Sequence, residues 1–259
     1  MTNPTAAMLV IGDEILSGRT QDTNTHHLAG ELTMHGINLK EVRVISDDPE
    51  PIVAAVQILS ATYMHVFTSG GIGPTHDDIT ADCIAKAFGS HIDIRDDARA
   101  ILQTHYDAQG LTLNEARLRM ARIPDNAILI DNPISKAPGF TLKNVHVMAG
   151  VPSIFQAMLA SVLPTITGGE PLVSETYRIE RGEGEIAAPI SDLASAFPTL
   201  SIGCYPFQQN GLYGANVVIR GQEPGLVKEA MTRLKAEFPT DYAKYKSVAK
   251  GNKFNVACF

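Results

Sequence analysis

The sequence predicts an α/β protein: a mainly parallel sheet with helices on both faces, followed by a smaller α+β domain. Three observations carry this. Strand-like and helix-like segments alternate from Ala6 to Phe88, and glycine-bearing loops follow the strands Ala6–Ile11 and His65–Ser69. After the Thr167-Gly168-Gly169-Glu170-Pro171 break the rhythm changes to strand, helix, strand, strand, helix. A chain of 259 residues suits one large domain or two small ones, at about 100–200 residues each. The expected division is 1–168 and 169–259.

The elements follow in order. Ala6–Ile11 is wholly apolar and reads as a buried strand. Thr23–His35 reads as a helix, with Leu28 and Leu32 on one face and Gly36 as its stop. Glu41–Ile45 alternates around Val42 and Val44. Asp48-Pro49 supplies an N-cap and a first-turn proline to a helix carrying Ile52, Val56, Leu59 and Tyr63. His65–Ser69 is a strand, Gly70 to Asp78 a glycine-rich loop, and Ile79–Phe88 a helix stopped by Gly89. Strand and helix in this alternation predict parallel pairing with right-handed crossovers. A less regular stretch holds helical Asp97–Tyr106 and Asn114–Arg122, strands Ala127–Ile130 and Val145–Met148, and a closing helix Ser153–Leu163. In the second domain, Thr176–Glu180, Ser201–Tyr205 and Ala215–Arg220 read as strands. Ile186, Ile190, Leu193 and Phe197 mark a helix that Pro189 should start late or kink. Leu226, Ala230 and Leu234 mark the last helix, giving a split, ferredoxin-like unit with an antiparallel sheet.

Composition removes several function classes. No apolar run approaches the roughly 18 residues that span a bilayer. No Lys or Arg precedes Arg19, so the basic start of a secretory signal is missing and a cytoplasmic protein without a membrane partner is expected. Cys83, Cys204 and Cys258 are scattered and have no CxxC spacing, which argues against a disulfide framework and a zinc site. The net charge of −7, without a Lys/Arg cluster, argues against a nucleic-acid partner. No nucleophile elbow and no i, i+4 histidine pair are present.

The chemistry is expected in loops. Ser69-Gly70-Gly71-Ile72-Gly73-Pro74-Thr75-His76-Asp77-Asp78 lies between a strand and a helix. Its glycines let the backbone turn sharply and approach a ligand, and the helix start offers free N–H groups for a phosphate. Two adjacent carboxylates would repel a bare phosphate and make sense beside a hard divalent cation. The alternative is a tight turn with Asp77 or Asp78 as the helix cap. Gly12-Asp13-Glu14-Ile15-Leu16-Ser17-Gly18 follows the first strand, so it should share the same sheet rim. Asp47 follows the next strand and could join Asp13 and Glu14. The turn-rich segments Asn132–Phe140, Met148–Ser153 and Asn114–Arg117 could equally be ordinary loops.

Ile11–Gly18, Asp22-Thr23-Asn24, Asp47-Asp48 and Ser69–Thr80 resemble the molybdopterin-binding (MoaB/Mog-type) domain. With the later Ala137-Pro138-Gly139-Phe140 and Gly150-Val151-Pro152 segments, Ala6 to Leu163 is similar to the N-terminal part of the competence/damage-inducible protein A (CinA) family. Glu183–Ala187 and Cys204-Tyr205-Pro206 extend the similarity into the second domain. The same domain type is similar to the N-terminal part of eukaryotic FAD synthases. Full-length CinA proteins carry a further amidohydrolase domain acting on nicotinamide mononucleotide, which the sequence ending at Phe259 is too short to hold, so that activity is not expected.

The resemblance implies a protein that binds a pterin or a nucleotide by its phosphate. CinA-like relatives imply a metal-dependent pyrophosphatase acting on ADP-ribose or a similar nucleotide. A non-catalytic molybdopterin-binding module, a molybdenum-cofactor biosynthesis protein, or a structural partner in an NAD or flavin pathway are the alternatives. On this reading Gly70, Gly71, Gly73, Thr75, Gly12, Ser17 and Asn24 hold the phosphate or nucleotide. Asp78, Asp77 and Asp13 are the catalytic candidates. Asp13, Glu14, Asp47 and Asp78 are the ligands expected for Mg²⁺, Mn²⁺ or Co²⁺. Related domains commonly self-associate, so a homo-oligomer is expected.

Overall fold

The computed structural model describes residues 3–209 and 211–239. The chain divides into two compact units between Pro171 and Leu172, at the end of the glycine-bearing break.

The first unit opens with strand β1 (Thr5–Ile11), helical turn α1 (Asp13–Leu16), helix α2 (Asn24–Met34) and strand β2 (Asn38–Ile45). Helix α3 (Pro49–Thr62), strand β3 (His65–Ser69) and helix α4 (Thr80–Phe88) follow. Then come β4 (Ile92–Ile94), α5 (Asp96–Ala108), α6 (Glu115–Leu118), β5 (Arg122–Pro124), β6 (Ile128–Ile130), β7 (Gly139–Leu142), β8 (Val145–Met148) and α7 (Pro152–Val162). One six-stranded sheet has the order β2-β1-β3-β8-β7-β6. β2, β1, β3 and β8 run parallel, whereas β7 is antiparallel to both β8 and β6. β4 and β5 form a separate antiparallel pair.

Both faces of the sheet are buried, because alternate residues of one strand serve different cores. Ala7, Leu9 and Ile11 of β1 face α3, α4 and α5, where Ile52, Leu59, Ile84 and Leu102 are buried. Ala6, Met8 and Val10 face α2 and α7, where Leu28, Leu32, Phe155 and Leu159 are buried. That two-sided burial is why β1 reads as one apolar run instead of an alternation.

The second unit contains β9 (Val173–Ile179), α8 (Glu183–Ala196), β10 (Ser201–Gln209), β11 (Leu212–Gly221) and α9 (Pro224–Glu237). β11 lies between β10 and β9 and is antiparallel to both, so the first β-α-β is split by the third strand. The α8 and α9 faces bury Ile186, Leu193, Val227 and Leu234 against Val217 and Ile219. The unassigned tail beyond Pro239, with Cys258, lies outside the described residues.

Several sequence expectations are corrected. Asp13–Leu16 is a helical turn where a plain loop was expected. Asn114–Arg122 is not one helix: α6 gives way to a 3-10 turn at Arg119–Ala121, and Arg122 enters β5 by pairing with Ile94. Gly139 and Phe140, read as loop, open β7, whose pairing with β8 overrides the preceding turn signals. Asp48 precedes α3 but does not cap it, because its carboxylate accepts from the Ser46 hydroxyl at 2.8 Å. Nor does Pro189 delay α8, which starts at Glu183 and contains the proline; the proline lacks the N–H that would reach the Glu185 carbonyl, and burial of Ile186 and Leu193 on either side sustains the helix.

At the opposite end of β3 and β8 from the glycine loop lie two buried histidines. The His146 ring sits 5.0 Å from that of Phe67 and 5.7 Å from that of His65. Its Nδ1 meets the Thr141 hydroxyl at 3.0 Å, while its Nε2 is buried without a partner. Burial, with a smaller contribution from His65, pushes the His146 imidazole down to about 3. Burial also lowers His65, although its contact with the Thr167 carbonyl opposes this. The unfolded chain therefore takes up protons that the native protein refuses as pH falls below about 6.5. Thermal melts between pH 7 and pH 5.5, above the ordinary carboxylate range, should show stability falling by on the order of 1 kcal/mol per pH unit from His146, with His65 acting in the same direction. A pH-independent melting temperature over that window would contradict the burial of neutral imidazoles.

Candidate functional site

The crossovers place β2 on one side of β1 and β3 on the other. The loops after β1 and β3 consequently part at the carboxyl edge of the sheet, where an open α/β sheet forms a crevice. Backbone approach is extreme there. Gly70 has φ +109°, and a Cβ on it would lie 2.1 Å from the Ile11 carbonyl oxygen. Gly71 has φ +68°, and a Cβ on it would lie 2.1 Å from the Thr80 hydroxyl. Any side chain at either position would combine an unfavourable φ with a collision.

The loop is closed by its own acid. One carboxylate oxygen of Asp78 accepts from the Thr75 backbone N–H at 2.8 Å and from the Thr75 hydroxyl at 2.5 Å. Helix α4 begins at Thr80, after Ile79, without a side-chain cap. The Thr80 hydroxyl is buried against Gly71 and has no partner. Beneath the loop is a recess of about 20 Å³ lined by Gly71, Gly73, Asp78, Asp82, Arg119 and Arg122. Arg122 pairs with Asp82, and Arg119 reaches the Asp78 carbonyl at 3.5 Å.

Next to this loop is an acidic group. The Asp13 backbone N–H donates to the Asp47 carboxylate at 2.9 Å. Burial raises the Asp47 carboxyl above its ordinary range; the Asp13 N–H pulls it back, and the charges of Asp13, Glu14 and Asp77 push it further up. Among the described residues, no three His, Cys, Asp or Glu side chains are grouped so as to hold a metal ion.

An open cavity of about 610 Å³ runs from the glycine loop across the rim. Its lining combines Glu14, Asp78 and the Gly70, Gly71 and Gly73 backbone with the largely apolar side chains of Tyr106, Met120, Val151, Pro152 and Ile154. Asn132, 2% exposed, shapes one wall by donating to the Ser135 hydroxyl and the Ala137 carbonyl and accepting from two backbone N–H groups. The arrangement suits a ligand with an anionic end and a flat, weakly polar body.

Comparison with known proteins identifies the family. Residues 7–168 match the family described as "Probable molybdopterin binding domain". The chain belongs to the molybdopterin-binding domain family. Residues 171–247 match the family described as "FAD synthase, middle domain". The crystal structure of the protein CinA, of unknown function, from Thermoplasma acidophilum is 35% identical with a TM-score of 0.57, over 62% of this chain and 98% of that one. A protein of Pyrococcus furiosus is 31% identical over 90% of this chain and 96% of its own length. A "Probable FAD synthase" of Caenorhabditis elegans is 33% identical over 89% of this chain but 49% of its own length, so the chain spans about half of that relative. The resemblance to the molybdopterin-binding domain of CinA-type proteins thus holds.

Within this molybdopterin-binding fold, the predicted residues divide. Gly70, Gly71, Gly73, Glu14 and Asp78 line the cavity together. Gly12 is not among its lining residues; it ties the end of β1 to β2 through its N–H to the Ile45 carbonyl, 3.1 Å. Ser17 is exposed at the end of α1. Asn24 is 5% exposed and structural: its amide donates to the Ser69 hydroxyl and the Gly150 carbonyl, both at 2.8 Å, pinning the ends of β3 and β8. The N–H and hydroxyl of Thr75 are engaged by Asp78. Asp13 and Asp77 are exposed, and neither they nor Asp47 line the cavity. Neither Asp77 nor Asp78 caps α4, because the N-cap position falls on Ile79, one residue beyond Asp78 and two beyond Asp77.

Tyr106, Met120, Ser135 and Ile154 were missed as lining residues, and Arg119 as the cation beneath the loop. The segments holding Ser135 and Gly150 did carry turn signals; Tyr106 and Arg119 sat in helical or irregular stretches with no local motif. If Asp78 is the buckle of the loop, Asp78→Ala should cost about 1–2 kcal/mol in chemical denaturation, and Asp78→Asn, which keeps an acceptor oxygen, under about 1 kcal/mol. Equal costs for the two variants would show that the Thr75 contacts do not close the loop.

Proposed function

We propose that the cavity binds a phosphate-bearing pterin or nucleotide, and that the protein hydrolyses the pyrophosphate of a nucleotide such as ADP-ribose with a divalent cation. The observation that carries the binding reading is one cavity joining the Gly70–Gly73 backbone and two carboxylates to an apolar, aromatic-bearing remainder. Family membership supports a pterin-like ligand. The similarity to FAD synthase sequences supports a nucleotide.

The residues fit a shared cation rather than a caged one. Mg²⁺-type ions take one or two carboxylates and complete their shell with substrate phosphates and water, so the missing three-residue cluster is compatible with that mode. Glu14 and Asp78 are the carboxylates that share the cavity with the glycine backbone and would hold the ion. When bound, a divalent cation would neutralise phosphate charge and lower the pKa of a coordinated water. The Gly70–Gly73 backbone would orient the phosphates. The apolar wall would exclude bulk water from the rest of the ligand. Asp13 and Asp47 do not line the cavity, and the Asp47 carboxyl is raised chiefly by burial, with the charges of Asp13 and Glu14 adding to it.

The second reading is a molybdopterin-binding module without turnover, which the same cavity and family membership would serve. The two are separated by incubating the protein with ADP-ribose and Mg²⁺, Mn²⁺ or Co²⁺ and measuring AMP and ribose 5-phosphate. Expected is release of both products, with Asp78→Asn raising the metal concentration for half-maximal rate by about tenfold or more. Ligand binding without product in all three metals would establish the module instead.

A further inference from the structure

We propose that Tyr106 is the platform on which the flat heteroaromatic ring of the ligand stacks, a step that rests on the reading of the cavity as a phosphate-ligand site. Tyr106 lies in α5, packs against the first core and lines the cavity. Two neighbours fix its ring: the Arg117 guanidinium lies over one face, 4.4 Å from the centroid, and His105 meets it edge-on at 5.3 Å.

Arg117 is itself fixed. Its Nη1 donates to the Thr112 carbonyl at 2.5 Å, and its backbone N–H donates to the Asn114 side chain at 3.0 Å. A rigid ring backed by a delocalised cation loses little freedom when a second ring settles on it. The glycine backbone suits the anionic groups of the ligand, and Tyr106 is the aromatic side chain of the lining, suited to a ring with a π-face. Adenine and a pterin both present one, and stacking does not discriminate between them. Specificity for a ring-bearing phosphate over a bare sugar phosphate then resides in Tyr106.

The test is calorimetric titration of the full chain with three probes: AMP, neopterin monophosphate and ribose 5-phosphate. The wild type should bind at least one ring-bearing probe about tenfold or more tightly than ribose 5-phosphate. Tyr106→Ala should abolish that ratio and leave ribose 5-phosphate unchanged, while Tyr106→Phe keeps it. Arg117→Ala, which leaves the core intact, should reduce the ratio about two- to fivefold. Which ring responds identifies the ligand class. A ratio that survives both Tyr106→Ala and Arg117→Ala would overturn the platform and leave the phosphate site standing. If no probe binds the wild type, the phosphate reading of the cavity falls and the platform with it.

Discussion

Everything at this rim depends on the contact between the loop after β3 and the end of β1. Gly70 lies so near the Ile11 carbonyl that no side chain could occupy its place, and Gly71 lies equally near Thr80. These approaches bring the backbone of Gly70–Gly73, the carboxylate of Asp78 and the first helical turn after β1 to one cavity. The parallel order of β2, β1 and β3 makes the approach possible, because neighbouring crossovers leave in opposite directions and vacate the space above the strands. Asn24 secures the same rim from below through Ser69 and Gly150. Loss of that geometry would separate the groups without unfolding the sheet, whose cores lie on its two faces.

Charge is arranged unevenly around this contact. Burial raises the Asp47 carboxyl, and the charges of Asp13, Glu14 and Asp77 add to the effect. On the other side, Arg119 and Arg122 lie beneath the loop, each with a buried Nε that lacks a partner. The Gly70 N–H already donates to the Met148 carbonyl and Arg122 is paired with Asp82, so a phosphate placed at the glycines would depend on the Gly71–Gly73 backbone and the charge of Arg119, with carboxylates close by. The carboxylates oppose such an anion unless a cation shares it, which is why the metal reading and the phosphate reading are linked. The thiol of Cys83, which burial pushes up to about 11, offers no competing nucleophile.

The fold was legible where a strand is buried on both faces or a helix has a clean stripe. β1, β3 and α3 have those properties, and the expected spans lie within a few residues of the observed ones. The sequence was least informative between Ser90 and Leu142, where short strands are held by pairing with distant segments: Arg122 with Ile94, Gly139 with Ile130. The glycine loop was legible because positive φ demands glycine. The roles within it were not. Asp78 has the spacing of a helix cap, yet it bonds backwards to Thr75, and Asn24 has the look of a ligand group, yet its amide NH2 is engaged by two strand ends while its Oδ1 is buried without a partner. Such choices are made by tertiary partners that local sequence does not contain. Tyr106 illustrates the same limit: its spacing on α5 describes a core residue, and only the fold brings the ring to the cavity wall.

The central claim is that the Gly70–Gly73 loop and the cavity beside it form the ligand site. The most direct measurement is a titration of isotopically labelled protein with a phosphate-bearing ring ligand, followed by amide ¹⁵N–¹H NMR. The account predicts that the amide signals of Gly70, Gly71, Gly73 and Tyr106 move in step with ligand concentration, while those around His65 and His146 at the other end of the sheet stay in place. Saturable shifts confined to the His65–His146 end, or to residues after Pro171, would contradict it.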